Sequence, residues 1–197
     1  MAAFDASLGK LGFDYLDLYI IHWPGGGPDK RKDSWRAMEE LLESKRVRAI
    51  GVSNYLEQHI AEIIEDPALK HNPHINQCEL HPECQWADLR GFCAANGVQF
   101  MGYMPFGGQG APLLREGAIK AAAEAASASS GRAVTPAQLL VKFVRHSGAV
   151  AIPRSTDAGR QIENVALDGL ELSPEVMETL AGMEADEHYD WDPNGVP

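Results

Sequence analysis

The chain has 197 residues, 45% of them apolar and 23% charged, with a formal net charge of −11 at pH 7. That length allows one domain with a substantial core, and the composition is that of an ordinary globular protein. The acidic balance argues against nucleic acid and anionic membrane as partners, because either would repel the chain and no basic patch overrides the whole.

The segment from Met1 to Ser7 lacks the apolar stretch of a leader, and no run approaches the ~20 apolar residues that a membrane span requires. A soluble, cytoplasmic protein is the expectation. Cys78, Cys84 and Cys93 are odd in number and the domain is large enough to need no disulfide framework, so reduced thiols are expected. Cys78, His81 and Cys84 have a spacing that invites a metal, but no fourth ligand at zinc-like spacing accompanies them and no metal is expected. Lys30-Arg31-Lys32, and Lys45-Arg46 with Arg48, read as groups that complement helix ends or solubilise a loop.

In chain order, residues 2–10, apolar at Phe4 and Leu8 with Leu11 beyond, resemble the interior of a crossover helix. An apolar run over 16–21 then ends at His22-Trp23-Pro24. The loop Gly25-Gly26-Gly27-Pro28 leads to Asp33-Ser34, after which Trp35, Met38, Leu41 and Leu42 share one helical face. A second strand over 49–52 ends at Ser53-Asn54. Ile60, Ile63 and Ile64 mark the next helix, which stops before Asp66-Pro67. The third strand, 74–79, ends at Leu80-His81-Pro82, and Trp86, Leu89, Phe92 and Cys93 carry a helix closed by Asn96-Gly97. A fourth strand, 98–102, ends at Tyr103.

Residues 116–130 are Ala-rich and helical by propensity until Ser127-Ala128-Ser129-Ser130-Gly131 breaks them. Thr135-Pro136 supplies an N-cap and a proline at N1 for a helix through Leu139, Leu140 and Phe143. The fifth strand, 149–152, ends at Pro153-Arg154-Ser155. Asp157 caps a short helix through Asn164, and Ser173-Pro174-Glu175 starts another reaching about Met183. The tail from Glu184 carries Tyr189, Trp191 and two prolines without periodicity, so 185–197 reads as a loop over a pocket. Five βα units in succession predict an α/β fold, a partial (β/α)8 TIM barrel of parallel strands in a single domain over 1–197. A closed barrel has eight such units and carries its chemistry at the C-terminal ends of the strands.

Four segments in this order and spacing, residues 14–24 (DYLDLYIIHWP), 51–54 (GVSN), 76–82 (NQCELHP) and 152–155 (IPRS), resemble the aldo-keto reductase family. The resemblance extends from about residue 7 to about residue 192. It implies an NADP(H)-dependent oxidoreductase that reduces an aldehyde or ketone to an alcohol by hydride transfer, with the cofactor across the C-terminal ends of the strands. His22 matches the catalytic histidine that orients the substrate, and Trp23 an aromatic lining the substrate pocket. Ser53, Asn54 and Gln77 match the positions that hold the nicotinamide carboxamide, a group whose carbonyl and NH₂ suit neutral donors and acceptors.

Tyr103 matches an aromatic that stacks on the nicotinamide ring. Phe106 lies in a loop, 105–108, that contacts the pyrophosphate in the family. Where the family commonly has serine, this chain has Met104, and the backbone amides of Gly107 and Gly108 are the groups left to replace the hydroxyl. Gly107-Gly108-Gln109-Gly110 lacks the turn, helix and downstream acid of a Rossmann fingerprint. Arg154 and Arg160 match cations for an adenosine 2′-phosphate, which favours NADP over NAD. Ser155 adds a hydroxyl, and Glu163 and Asn164 share a helical face with Arg160 where the family meets adenine.

Each position also has a plainer reading. His22 could be a buried histidine, Asn54 a loop cap, Gln77 an exposed strand residue, Tyr103 core packing, and Arg160 with Glu163 a surface ion pair. The tyrosine, lysine and aspartate of the family's proton-donating machinery find no match, since they belong to three units that would precede Met1. An open five-stranded sheet would expose both edges and its inner face, so an incomplete gene product is expected, without carbonyl reduction by the isolated chain. Two alternatives are a non-catalytic NADP-binding or regulatory module and a half-barrel subunit completed by a partner chain. The carbonyl substrate is a small molecule, and Trp23, Phe106 and Trp191 imply an apolar, partly aromatic pocket for it.

Overall fold

Strands and helices alternate along the chain as the apolar pattern predicts. In the computed structural model, which describes residues 2–197, β1 (Leu16–Ile21), β2 (Val47–Ser53), β3 (Ile75–Glu79), β4 (Gln99–Tyr103) and β5 (Val150–Ala151) form one sheet in sequence order. All five strands are parallel. Helices α1 (Ala2–Leu11), α2 (Pro28–Glu43), α3 (Glu57–Ile64), α4 (Ala87–Ala95), α5 (Gly117–Ser130), α6 (Pro136–His146), α7 (Ala158–Val165) and α8 (Pro174–Ala181) complete the pattern. Short crossovers that return each strand beside its predecessor produce such an order, and the result is the five-stranded part of a (β/α)8 barrel.

Backbone contacts group the chain into two compact units. The first holds Met1–Gln77, Asp88–Gln99 and Pro193–Pro197, and the second Cys78–Ala87 and Phe100–Asp192. In the first, α2 packs on β2 and α3, burying Trp35, Met38, Leu41, Ile50, Val52, Ile60 and Ile63. Trp35 satisfies its indole N–H on the His71 carbonyl at 2.9 Å. The tight β2–β3 approach needs Gly51, because a Cβ there would lie 2.7 Å from the Ile75 carbonyl oxygen. In α1 the one buried side chain is Phe4, set edge-on to Tyr19 at 5.1 Å with the Arg46 guanidinium 4.6 Å from its ring.

Within the second unit, α5 packs on α6 and α8, and α6 on α7 and β5. Leu139, Leu140, Phe143 and Val144 of α6, Ile119 and Ala126 of α5, and Val176 and Leu180 of α8 are buried there. The N-cap predicted at Thr135 is present, and the structure adds a capping box. Its Oγ1 accepts from Gln138 N and the Gln138 Oε1 accepts from Thr135 N, each at 3.2 Å.

Several local expectations shift. The first crossover helix starts at Pro28 rather than after Asp33-Ser34, with Gly27 in the cap position at φ 83° and proline at N1. Trp86 lies outside α4 with φ 50° instead of on its apolar face. Arg31 is no solvated basic residue. It is 2% exposed, paired in a fork with Glu62 at 2.7 and 2.6 Å, and its Nη1 donates to the carbonyls of Pro24 and Pro197 at 2.9 and 2.7 Å. The tail is not a plain loop either, since Pro193–Gly195 form a 3₁₀ turn. Cys78, Cys84 and Cys93 are buried, unbridged thiols. Among the described residues no helix is long and apolar enough to cross a membrane, and no group of three or more His, Cys, Asp or Glu could hold a metal ion.

Candidate functional site

The first unit gathers its nominated residues where β1, β2 and β3 end. Asn54, 4% exposed, follows β2 in the left-handed region at φ 62°, a conformation that asparagine tolerates better than most residues. Its backbone N–H donates to the Gln77 carbonyl at 2.9 Å. Its Nδ2 donates to the His22 carbonyl and to Ser53 Oγ, both at 3.2 Å. Ser53 in turn donates to the Gln77 carbonyl at 2.7 Å. One polar chain thus joins His22, Ser53, Asn54 and Gln77. Asn54 does more than cap a loop. His22 is exposed rather than buried, and Trp23 and Gln77 are half-buried.

The second unit holds a cleft of about 710 Å³, whose lining includes Phe106, Gly108, Gln109 and Gly110 together with Arg154, Ser155, Arg160, Glu163 and Asn164. Thr135 and Pro136 also line it; they are the cap and first residue of α6, so the positive end of that helix dipole adjoins the cleft. The residues from Ser155 to Gln161 form a self-bonded turn. Asp157 caps α7 by accepting from Arg160 N at 2.8 Å, Ser155 Oγ accepts from Asp157 N at 3.2 Å and from Arg160 Nε at 3.3 Å, and Gln161 Nε2 donates to the Ser155 carbonyl at 2.7 Å. Arg160 is therefore aimed by Ser155 and not by an ion pair with Glu163.

Two groups in this cleft stand out chemically. The Arg154 guanidinium and the Asn164 side-chain amide make no hydrogen bond among the described residues, although Asn164 is only 5% exposed. Near-buried amides are normally paired, so a donor–acceptor group left open in a concave site is suited to a polar ligand. With two arginines and a helix N-terminus against the single carboxylate of Glu163, the cleft favours an anion. A purine ring would use the Asn164 amide, and a phosphate the guanidinium forks.

Tyr103, half-buried at the end of β4, accepts from Leu80 N through its carbonyl at 3.0 Å. Burial, and then the nearby Glu79 carboxylate, hold its phenol well above the usual range, so the ring acts as a flat, protonated face. Met104 takes φ 52° and Gly107 and Gly108 take 78° and 75°, which turns the chain sharply before Phe106 to Gly110 enter the cleft wall. Thr135, Pro136, Gln109 and Thr156 also line the cleft and escaped sequence reasoning. The Thr135-Pro136 pair was legible as a helix start, and a helix start pointing at basic residues is the signal that could have placed it here.

The sequence profile of the Aldo/keto reductase family matches residues 1–185, and the chain belongs to that family of oxidoreductases. It is 38% identical over 194 residues to a glyoxal reductase of Bacillus subtilis (strain 168), covering 98% of this chain and 66% of that protein. It is 37% identical to a 9,11-endoperoxide prostaglandin H2 reductase of Trypanosoma cruzi, again over 98% of this chain and 65% of the relative. The chain thus spans just under two thirds of the length of these relatives. Among solved structures, MGS-M4, an aldo-keto reductase enzyme from a Medee basin deep-sea metagenome library, superimposes with a TM-score of 0.88 at 29% identity, covering 100% of this chain and 69% of that one.

Proposed function

We propose that the cleft of the second unit takes the adenosine 2′-phosphate end of NADP(H), and that the protein serves the NADPH-dependent reduction of an aldehyde or ketone to an alcohol. The observation that carries this reading is the pairing of the open Arg154 guanidinium with the open, nearly buried Asn164 amide in one cleft. The cofactor, when bound, supplies the hydride. Arg154 and Arg160 grip the 2′-phosphate, Ser155 holds Arg160 in place, and Glu163 and Asn164 meet the adenine.

Within each unit, further residues take the remaining roles. Ser53, Asn54 and Gln77 hold the carboxamide that fixes which ring face delivers hydride, Tyr103 and Phe106 supply apolar faces, and the exposed imidazole of His22 donates to the substrate oxygen beside Trp23. None of these residues is assigned the proton donor; they bind and orient. The substrate is a small carbonyl compound and the setting cytoplasmic, which the net charge of −11 supports over a nucleic-acid or anionic-membrane role.

Titration of NADPH and NADH by fluorescence tests the proposal. NADPH binds more tightly than NADH, and Arg154→Ala and Arg160→Ala each weaken NADPH by about tenfold while leaving NADH nearly unchanged. Equal affinities for the two cofactors, or arginine variants that lose both alike, would reject the 2′-phosphate assignment.

A further inference from the structure

Glu79 ends β3 and is 2% exposed. Its Oε1 accepts from Tyr189 N at 3.0 Å and lies 2.9 Å from His81 Nε2, while Oε2 accepts from Asp190 N at 3.3 Å. Two successive backbone amides and an imidazole on one buried carboxylate make a receptor for a chain segment, since hydrogen bonds to an ionised acceptor are the stronger kind. His81 is fully buried and its Nδ1 has no hydrogen-bond partner among the described residues, so Nε2, toward Glu79, is the ring nitrogen that makes its bond.

The same segment is held from a second side. Ala185 N and Glu187 N donate to the Glu83 carbonyl at 3.1 and 3.0 Å, and the Tyr189 hydroxyl donates to the Glu83 carboxylate at 2.7 Å. Tyr189 then presses on the loop after β4. A Cβ added at Gly107 would lie 3.0 Å from Tyr189 Cε2, and one at Gly108 would lie 2.9 Å from Tyr189 Cβ. Gly108, Gln109 and Gly110 line the cleft.

We infer that Glu79 is a positioning residue: by holding the amides of Tyr189 and Asp190 it seats Tyr189 on Gly107 and Gly108 and so fixes the loop that walls the cleft. Its effect on a nucleotide rests on the proposed function, whereas the coupling between the two segments is a property of the chain alone.

Amide hydrogen exchange on the 197-residue chain, together with NADPH titration, tests this in Glu79→Gln, Tyr189→Ala and Tyr189→Phe. In Glu79→Gln the amides of Tyr189 and Asp190 exchange faster, and those of Gly107 and Ala111, which bond to Met104 and Gly108, accelerate with them by about tenfold or more. Tyr189→Ala accelerates Gly107 and Ala111 as well, and Tyr189→Phe, which keeps the ring on the glycines, leaves them slow. Faster exchange at 189–190 with unchanged exchange at Gly107 and Ala111 overturns the inference. Should Glu79→Gln fail to fold, Tyr189→Ala decides alone, Tyr189 being 36% exposed. A wild-type chain that does not bind NADPH rejects the nucleotide reading and leaves the exchange data to judge the coupling. Wild-type binding with affinity and exchange unmoved in Glu79→Gln and Tyr189→Ala rejects the coupling and leaves the nucleotide reading in place.

Discussion

Asn54 shows how much one residue carries. It sits at φ 62°, 4% exposed, and its side chain ties the end of β1 to the end of β2. Alanine there loses the amide bonds and keeps the strained backbone, so Asn54→Ala lowers unfolding free energy by about 2 kcal/mol, while Asn54→Gly, free of the Cβ penalty, loses about half as much. Urea denaturation reads both, and equal losses would remove the backbone from the explanation. Arg31 is the second case. Its fork on Glu62 and its two carbonyl partners use four of its five N–H donors, so truncating it strands a half-buried carboxylate and two carbonyls at once.

At the level of elements, α6 both supports the second unit and ends at the cleft. Its apolar residues are buried on several sides, and its capping box closes two of the backbone donors that would otherwise be orphaned at its start. Thr135→Ala therefore costs about 1 kcal/mol of stability in a denaturant titration. β4 illustrates the opposite constraint. A Cβ at Gly102 would lie 2.9 Å from Leu80 Cβ and from Val144 Cγ1, so Gly102→Val costs about 1–3 kcal/mol, and a neutral result would mean that these neighbours yield freely. The same close fit explains the glycine in β4.

For the molecule as a whole, pH is the informative variable, and His59 supplies the handle. Its Nδ1 accepts from Leu56 N at 3.1 Å and its Nε2 faces the Val196 carbonyl at 3.1 Å, which describes a neutral ring. Burial, opposed by the Val196 hydrogen bond, holds its pKa below the ordinary 6.5, with Arg31 lowering it further and Glu62 raising it. The unfolded chain then binds the proton more readily than the folded one. Stability from this group is complete above 6.5 and declines as pH falls from there toward the folded-state pKa. Between about pH 7.5 and about pH 5.5 the wild type should lose more stability than His59→Gln, and parallel curves would exclude the histidine as a source. Taking the difference between the two proteins removes the contribution of carboxylates common to both.

Features that rest on neighbours a few residues apart could be read from the order of the amino acids. Alternating apolar runs, the Thr135-Pro136, Asp157 and Ser173-Pro174 caps, and the ordered motifs ending at His22, Asn54, His81 and Ser155 were legible, because periodicity, capping and strand-end chemistry are local. The sequence could not disclose contacts made across the chain. Arg31 looks like one member of a solvated basic trio, yet its burial follows from a carbonyl 166 residues away. The tail lacks periodicity, yet Glu79 binds an amide 110 residues beyond it. The open guanidinium of Arg154 and the open amide of Asn164 are likewise visible only once the fold shows what every other donor is bonded to. Local pattern fixes elements because their energies are short-ranged, whereas burial and hydrogen-bond satisfaction depend on which distant residues the tertiary structure brings within about 3 Å.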